Sequence, residues 1–226
     1  MTTQDPQGHQ LADYQPPPDT GLALLYEDEH LLALDKPSGL LSVPGRGERM
    51  ADCLAARVQA RFPDAMVVHR LDMDTSGLVL MARGPLVQRL LSQQFMARQV
   101  DKRYEAMVHG VLAQEEGEID LPLITDWPRR PRQKVDAEIG KPSLTRFRLL
   151  QPLANSSRVS LEPVTGRSHQ LRVHLMALGH PIIGDDLYGP PGDRARAGRL
   201  MLHACDVALA HPVSGQALKL VCPCPF

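Results

Sequence analysis

The feature that most constrains how this chain can fold is a group of charged residues set between two apolar runs. The runs, residues 66–68 and 78–81, are short and contain β-branched residues, which is typical of buried strands. The segment between them carries Arg70 and Asp72. Because an unpaired charge is costly to bury, charges beside a core strand indicate a functional site on a rigid support.

The residues that follow, Asp74-Thr75-Ser76-Gly77, have the composition of a turn. For Asp74 and Thr75 we expect only the structural role of shaping the bend of a surface hairpin. For Arg70 and Asp72 that interpretation does not explain why charges stand at the end of a buried strand, so we favour a functional role for them.

Hydrophobic periodicity elsewhere predicts an α+β fold with a mixed, mostly antiparallel sheet. Apolar residues at helical spacing predict helices over residues 51–61, 85–97 and 168–178, the last closed by Gly179. Apolar runs predict further strands over residues 31–34, 104–108, 146–150, 158–161, 207–210 and 218–221. Strands outnumber helices without regular alternation, which disfavours a doubly wound parallel sheet.

Composition divides the chain into a polar N-terminal segment and one folded domain. Residues 1–20 are polar, include three consecutive prolines and are predicted to be a disordered tail, whereas residues 21–226 form the domain. The sequence has no apolar run long enough to cross a bilayer, and no basic region followed by an apolar stretch at its start. We therefore expect a cytoplasmic protein with neither a membrane span nor a secretion signal.

The formal net charge of -1 argues mildly against a nucleic-acid partner, but the charges are unevenly distributed. Residues 125–148 hold seven bases and three acids, and residues 127–134 combine one tryptophan with four bases and two prolines. A local basic surface suffices for contact with phosphates. A solvated run of charges would have the same composition, so these residues alone leave RNA binding open.

The metal-binding residue types show no ligand pattern. Cys53, Cys205, Cys222 and Cys224 include no Cys-x-x-Cys pair, and Cys222 and Cys224 have no two further ligands near them in the sequence. We therefore expect reduced thiols and no zinc site. His169 and His174 do not share one face of a helix, and we predict no metal site.

Four motifs give the sequence a resemblance to a known family. In chain order they are Lys36-Pro37-Ser38-Gly39, the run from His69 to Leu78 (His-Arg-Leu-Asp-Met-Asp-Thr-Ser-Gly-Leu), Lys102-Arg103-Tyr104, and the run from Thr165 to His174 (Thr-Gly-Arg-Ser-His-Gln-Leu-Arg-Val-His). Their residues and their order, across residues 21–226, resemble the RluA family of pseudouridine synthases. Residues 37–46 and 121–128 are most similar to the branch of that family that acts on both 23S ribosomal RNA and transfer RNA.

This resemblance implies a bent mixed sheet in two subdomains with a central cleft. Some relatives carry an added N-terminal S4 RNA-binding domain, and twenty residues are too few to hold one. The implied activity is the isomerisation of specific uridines to pseudouridine in 23S ribosomal RNA and in the anticodon stem-loop of transfer RNA. Nothing is oxidised and no group is transferred away in that reaction, so we expect no cofactor. We also expect a monomer.

The resemblance also implies roles for individual residues. Asp72 matches the catalytic aspartate, and attack on the sugar, addition to the base and removal of a ribose proton are all open as its task. Arg172 occupies the position of its salt-bridge partner, although on an amphipathic helix beside Leu171, Leu175 and Leu178 an arginine is usually solvated. Tyr104 is expected to stack on the target uracil, although a tyrosine in a strand is more often part of the core.

Two further groups complete the predicted site. Arg70 is expected to fill the gap left when the uridine flips out of its stack, and Leu171 to wall the base pocket. The RNA-binding cations are predicted to be Lys102, Arg129, Arg130, Arg132, Lys134 and Arg167.

Two alternatives from other functional classes remain. A non-catalytic RNA-binding module on the same fold would have no need of Asp72, Tyr104 and Arg172 together. A hydrolase that uses Asp72 with His69 as its base is ranked last, because no glycine motif for an oxyanion site accompanies the two residues.

Overall fold

The computed structural model of this chain describes residues 14–226. Twelve strands occur in that part of the chain: β1 (Leu24–Glu27), β2 (Leu31–Lys36), β3 (Ala65–Val67), β4 (Ser76–Arg83), β5 (Asp101–His109), β6 (Glu116–Asp120), β7 (Leu123–Thr125), β8 (Gln133–Val135), β9 (Leu144–Pro152), β10 (Ser156–Pro163), β11 (Leu202–Ala210) and β12 (Ala217–Val221). The helices are α1 (Leu54–Arg61), α2 (Pro85–Met96), α3 (Gln170–Ala177) and α4 (Asp193–Ala197), with short 3-10 turns at Glu48–Met50 and Trp127–Arg129.

Ten of the strands form one sheet. Its order is β1-β2-β4-β11-β5-β10-β9-β6, with β12 paired to β11 and β3 paired to β4, while β7 and β8 form a separate hairpin. Only the pairing of β11 with β4 is parallel among these strands; the others are antiparallel. The predicted α+β class with a mixed, mostly antiparallel sheet is confirmed. Residues 14–226 all belong to this one fold and contain no separate S4 domain.

The sheet divides along one edge of β4. At the start of β4, Ser76 and Gly77 pair with His203 and Ala204 of β11, whereas its last three residues pair with β3 on the same edge. Gly77 has a φ of +109°, and a Cβ there would lie 2.3 Å from the carbonyl oxygen of Ala204. The two strands therefore approach more closely than any side chain at residue 77 would permit.

The buried side chains fall into two sets, and β11 contributes to both: its Val207 and Leu209 pack with β2, β4 and α2, whereas its Leu202 packs with β5 and β10. Around β2, β4, α1 and α2 the apolar residues form two clusters on the two faces of the sheet. Around β5, β9, β10 and α3 they form another large cluster, extended by a small one beneath the β7–β8 hairpin. Tyr104 of β5 packs against clusters of both sets, so it stands between the two predicted subdomains.

The helices follow the sequence pattern with one exception. Pro85 begins α2 at a position where its missing N–H is not needed, and Val87 and Leu91 are buried beneath that helix. Gly179 follows α3 with a φ of +89°, as the sequence predicts for a residue that ends a helix. Leu178, however, was wrongly placed on the buried face, because α3 ends at Ala177 and Leu178 is 38% exposed.

The predicted N-terminal tail extends over residues that the structure describes only in part. Residues 1–13 lie outside the described residues. From Tyr14 onward the segment contacts the domain: the Tyr14 hydroxyl donates to the carbonyl of Asp52 and accepts from the amide of Leu41, and Arg57 donates to the carbonyl of Pro17. Residues 14–20 therefore lie against the folded body. No helix in the described part of the chain is long and apolar enough to span a membrane.

Candidate active site

A cleft with a volume of about 610 Å³ is lined by the segment between β3 and β4, by β5, and by the segment that leads into α3. Seven of the residues predicted to form the site line it: Arg70, Asp72, Lys102, Tyr104, Arg167, Leu171 and Arg172. The four other predicted RNA-binding cations, Arg129, Arg130, Arg132 and Lys134, all lie in the described part of the chain and do not line it. The fold thus brings three distant motifs to one cavity.

Backbone tethers on both sides hold the segment that carries Asp72. On one side, the Ser42 hydroxyl donates to the carbonyl of Leu71 at 2.7 Å and accepts from its amide at 3.1 Å. On the other side, the fully buried ammonium of Lys36 donates to the carbonyl of Met73 at 2.8 Å. Both neighbours of Asp72 are therefore fixed by hydrogen bonds, which limits the positions that its carboxylate can reach.

Lys36 explains why the lysine-proline motif lies next to this segment. Its ammonium also donates to the carbonyls of Pro37 and Leu40, so all three donors are used. Burial lowers the pKa of Lys36 to about 7, against the opposing influence of Asp74 and Asp72. No role was predicted for this lysine from the sequence. Its hydrogen bonds show that it fixes the loop that carries Asp72.

The expectation for Asp74 and Thr75 was wrong, because neither lies on a surface hairpin. Both side chains are buried. Asp74 accepts a hydrogen bond from Arg194 at 2.8 Å, and the Ser38 hydroxyl donates to its backbone carbonyl. The turn that joins β3 to β4 is anchored inside the molecule, and the Asp74 carboxylate is occupied by a structural ion pair.

Arg172 is buried rather than solvated, with 3% of its side chain exposed. It donates from Nε and Nη2 to the two oxygens of Asp185, each at 2.7 Å, and Nη2 lies 3.4 Å from Asp186. Its third nitrogen, Nη1, lies 3.7 Å from Oδ2 of Asp72. Burial alone would lower the pKa of Arg172, but the bonds to Asp185 raise it above its ordinary value, so the guanidinium stays charged.

Asp72 is flanked by a cation and by a histidine. Its side chain is 27% exposed, open to the cleft, with Arg172 facing Oδ2 and Nε2 of His169 lying 4.0 Å from Oδ1. Burial lowers the pKa of His169 despite the nearby carboxylate, so this imidazole is neutral at pH 7. The sequence prediction named Arg172 and missed His169.

Tyr104 and Lys102 form another wall of the cleft. Burial, with a smaller contribution from the Asp72 charge, raises the pKa of Tyr104, so its hydroxyl stays protonated. Burial lowers the pKa of Lys102. Arg70 and Arg167 are exposed at the cleft, and Leu171 is buried in its wall. This arrangement can hold a flat ring beside Asp72 and place cations around it.

His69 has a structural role that excludes it as the base of a hydrolase. The edge of β4 is unpaired between its contacts with β11 and β3, and Nε2 of His69 accepts the amide N–H of Leu80 there at 2.9 Å. The His69 ring also stacks on Phe95, with 4.7 Å between centroids. Burial lowers the pKa of His69 to about 3, which keeps Nε2 available as an acceptor. A nitrogen engaged in this way cannot take a proton from a nucleophile.

The predicted basic loop joins the strands of the β7–β8 hairpin. Part of its charge is paired: Arg129 lies 2.7 Å from Asp126 and Lys134 lies 3.1 Å from Asp136. Arg130 stacks over the ring of Trp127, with 3.4 Å from its Cζ to the ring centroid. The hairpin packs beside the cleft through Tyr188, whose hydroxyl accepts the backbone N–H of Gln133.

The prediction that Cys222 and Cys224 have no further ligands near them holds for the sequence but not for the fold. The fold brings Asp35 and His203 to Cys222, and it brings Glu105 and Cys205 to Cys224. Within each group the possible ligand atoms lie within 4.8 Å of one another. Arg103 and Arg158 already donate to the two oxygens of Glu105. The absence of a metal therefore stays a prediction, and sequence spacing does not support it.

Sequence reasoning missed three residues at this site: His169, Asp185 and Tyr188. Asp185 and Tyr188 belong to the segment Gly184-Asp185-Asp186-Leu187-Tyr188-Gly189, where two carboxylates and an aromatic residue stand between glycines. That pattern was a signal that could have been used, because such a cluster is unusual in a plain loop. His169 was considered only as a metal ligand.

The sequence is similar to proteins of known function over nearly its whole length. Residues 30–177 match the sequence model of the family described as RNA pseudouridylate synthase. The chain is 50% identical over 216 residues to the dual-specificity RNA pseudouridine synthase RluA of Vibrio cholerae, covering 96% of this chain and 88% of the relative. It is 48% identical over 217 residues to the protein of the same name from Escherichia coli, covering 96% of this chain and 99% of the relative.

Solved structures agree with this similarity. Human RNA pseudouridylate synthase domain containing 1 superposes with a TM-score of 0.77 at 29% identity, covering 94% of this chain and 87% of that protein. Human RNA pseudouridylate synthase domain containing 4 gives a TM-score of 0.72 at 24% identity, over 90% of this chain and 88% of that one, a likeness that concerns the fold.

Proposed function

Because this chain belongs to the RNA pseudouridylate synthase family, we propose that it isomerises specific uridines to pseudouridine in 23S ribosomal RNA and in the anticodon stem-loop of transfer RNA. The observation that carries the proposal is the placement of Asp72. Its carboxylate opens into the cleft between fixed neighbours and beside the buried guanidinium of Arg172.

The reaction breaks the bond between ribose and N1 of the uracil, turns the base, and forms a bond from the same ribose carbon to C5. The displaced C5 hydrogen leaves as a proton, N1 gains one, and no electron is gained or lost. Asp72 supplies the one carboxylate that this sequence of steps requires, either as a nucleophile toward the sugar or the base or as the base that removes a ribose proton.

The other cleft residues take roles that follow from their shapes and charges. Tyr104 presents a protonated phenol ring on which the detached uracil can stack while Leu171 encloses it. Arg70, exposed at the cleft, fills the space that the flipped uridine leaves. The cavity of about 610 Å³ falls within the range of small-ligand pockets, roughly 300–1,000 Å³, which suits a single flipped nucleotide.

RNA would follow the basic surface around the cleft. Lys102 and Arg167 line the cavity itself. The hairpin that carries Arg129, Arg130, Arg132 and Lys134 is joined to the cleft residue His169 through Tyr188, so its cations would contact RNA beyond the cavity. A pure RNA-binding module is the weaker alternative, since it would not need the buried pair of Arg172 and Asp185 aligned on Asp72. We propose that residues 21–226 act as a cytoplasmic monomer without metal or cofactor.

The test is the substitution Asp72→Asn in the full-length protein. Asparagine has nearly the same size and still accepts hydrogen bonds, so RNA affinity should stay near that of the wild type. It offers no negative oxygen, so no pseudouridine should form. The assay is chemical mapping of pseudouridine in unmodified 23S ribosomal RNA and transfer RNA transcripts, with affinities measured on the same transcripts.

Asp101→Asn, at an exposed carboxylate on β5, is the matched control and should keep its activity. Product formation by Asp72→Asn at the wild-type rate would remove Asp72 from catalysis. A wild-type protein that binds both RNAs and modifies neither would favour the binding module.

A further inference from the structure

His169 is held between Asp72 and Tyr188 in an unusual backbone conformation. Its φ of +52° lies in the left-handed region, and only Arg98 shares that property among the non-glycine residues in the described part of the chain. Such a conformation is uncommon for a residue with a side chain, and it persists where surrounding contacts fix it. The Tyr188 ring meets the imidazole edge-on, with centroids 5.7 Å apart.

The hydrogen bonds around Tyr188 decide where His169 carries its proton. The backbone amide of Gln133, which can only donate, lies 2.7 Å from the Tyr188 hydroxyl oxygen. Nδ1 of His169 lies 2.7 Å from the same oxygen. Burial raises the pKa of Tyr188 to about 12, so the hydroxyl keeps its proton.

That hydroxyl proton has one acceptor available. Within residues 14–226, Nδ1 of His169 is the only acceptor at hydrogen-bonding distance from the hydroxyl of Tyr188, a residue that is 8% exposed. The neutral imidazole therefore accepts at Nδ1 and carries its proton on Nε2. Nε2 is the nitrogen that faces Oδ1 of Asp72.

The result is a fixed donor opposite each oxygen of Asp72. Nε2–H of His169 faces Oδ1 at 4.0 Å, and Nη1 of Arg172 faces Oδ2 at 3.7 Å. Both gaps exceed a hydrogen bond, and such contacts often shorten only when substrate is bound. Tyr188 contacts both donors, since Cζ of Arg172 lies 5.2 Å from the centroid of its ring.

We propose that Tyr188, held by the backbone amide of Gln133, is a positioning residue that fixes His169 with its proton on Nε2 and aims that donor at Asp72. A chain of hydrogen bonds thus runs from the backbone of the basic hairpin to Nδ1 of His169, whose Nε2 faces the catalytic carboxylate across 4.0 Å. This inference rests on the proposed pseudouridine synthase activity for its kinetic consequence, while its structural content is independent of that activity.

The first test is Tyr188→Phe, which keeps the buried ring and removes the hydroxyl. We expect kcat to fall about ten- to a hundredfold, the loss typical of a misplaced catalytic group, with KM nearly unchanged. Because the Gln133 amide loses its acceptor, the urea unfolding midpoint should fall, and kcat is measured under conditions where the variant is fully folded. An unchanged kcat, or a loss explained by unfolding, would overturn the proposal.

The second test compares two replacements of His169 that preserve one nitrogen each. The amide nitrogen of glutamine can reach the place of Nε2, whereas that of asparagine reaches only the place of Nδ1. His169→Gln should keep most of the wild-type kcat, and His169→Asn should lose as much as Tyr188→Phe. Asparagine tolerates a positive φ better than glutamine, so backbone strain would produce the opposite order.

A double substitution tests whether Tyr188 acts through His169. In the His169→Gln background, which has no imidazole tautomer to fix, Tyr188→Phe should change kcat less than about twofold. Full additivity of the two losses would show that Tyr188 does not act through His169.

The proton position can be measured without any RNA. In wild-type protein labelled with ¹⁵N-histidine, the resonances absent from the His169→Gln spectrum should show a proton on Nε2 and none on Nδ1. A proton on Nδ1 would refute the proposal even if the enzyme is active. Absence of pseudouridine formation by the wild type would refute the proposed function and leave this measurement intact.

Discussion

At the scale of single residues, the site depends on the buried guanidinium of Arg172, which is hydrogen-bonded to Asp185 and lies 3.7 Å from the carboxylate of Asp72. Arg172 makes its two short hydrogen bonds to Asp185, whose side chain is fully buried, and leaves only Nη1 for Asp72. The Asp185 carboxylate also accepts the backbone amides of Leu187 and Tyr188. Asp185 therefore orients the guanidinium and the segment that carries Tyr188 together.

Asp185→Asn should destabilise the protein as well as reduce its activity. Loss of one partner from a buried ion pair leaves an uncompensated charge, which typically costs about 3–5 kcal/mol of unfolding free energy. Urea unfolding followed by circular dichroism measures this loss of unfolding free energy. Asp186→Asn is the control, because Asp186 is half exposed and its contact with Arg172 is long, so a loss of less than about 1 kcal/mol is expected. Equal losses for the two variants would contradict the distinct role of Asp185.

At the scale of secondary structure, the sequence predicted elements with a clear period and missed short ones. The three predicted helices and the eight predicted strands each overlap an observed element. Strands β1, β6, β7 and β8 and helix α4 have only three to five residues and were not predicted, whereas the equally short β3 and β12 were identified from their apolar runs. The first half of β11 was missed because Cys205 and Asp206 lie at a shift in its register with β5, which breaks the alternation of apolar residues.

Prediction of the site residues from the sequence is limited in a similar way. Residues inside contiguous motifs, such as Asp72 and Arg172, were identified because the motif carries them. The segment from Gly184 to Gly189 marks Asp185 and Tyr188 as candidates, but the contacts of Tyr188 with Gln133 and of Lys36 with Met73 join distant segments, which no local pattern specifies. The burial of Asp74 belongs to this class, since its partner Arg194 lies 120 residues away.

The unpaired edge of β4 predicts a dependence of stability on pH. In the unfolded chain His69 binds a proton below its ordinary pKa near 6.5, whereas the folded chain, with the pKa of His69 lowered to about 3, stays neutral until far lower pH. Between these values the unfolded state holds more protons, so the free energy of unfolding falls as pH is lowered. From pH 6.5 to pH 5 this group contributes a loss of up to about 2 kcal/mol.

His69→Gln separates this contribution from that of the other histidines. The glutamine side-chain oxygen can accept the Leu80 amide and does not titrate. Urea unfolding of both proteins at pH 7 and pH 5 should give a smaller loss of stability for His69→Gln than for the wild type. Identical losses would mean that His69 is not the group that titrates.

At the scale of the whole molecule, the domain has two halves, one around β2 and β4 and the other around β5, β9 and β10. They meet where β4 pairs with β11, next to the cleft. This parallel contact is short, and it depends on Gly77, where a Cβ would overlap the backbone of Ala204. Thr75, two residues before, lines the cleft, and so does Leu202, two residues before Ala204. A change in the separation of these two strands would therefore alter the distance between the halves at the site itself.

Gly77→Ala should reduce both stability and activity for this reason. The positive φ alone costs an L-residue about 1–2 kcal/mol, and the overlap at 2.3 Å with a backbone oxygen forces the strands apart, which adds to that loss. Gly166→Ala is the stability control, because the space around Gly166 is open and its φ is not positive, so its unfolding free energy should match that of the wild type.

The decisive measurement is kcat for pseudouridine formation at a temperature where Gly77→Ala is still fully folded. If the junction sets the width of the cleft, kcat falls there while RNA affinity, which depends on the outer basic surface, changes little. A fully folded Gly77→Ala protein with wild-type kcat would show that the halves position the site independently of this contact.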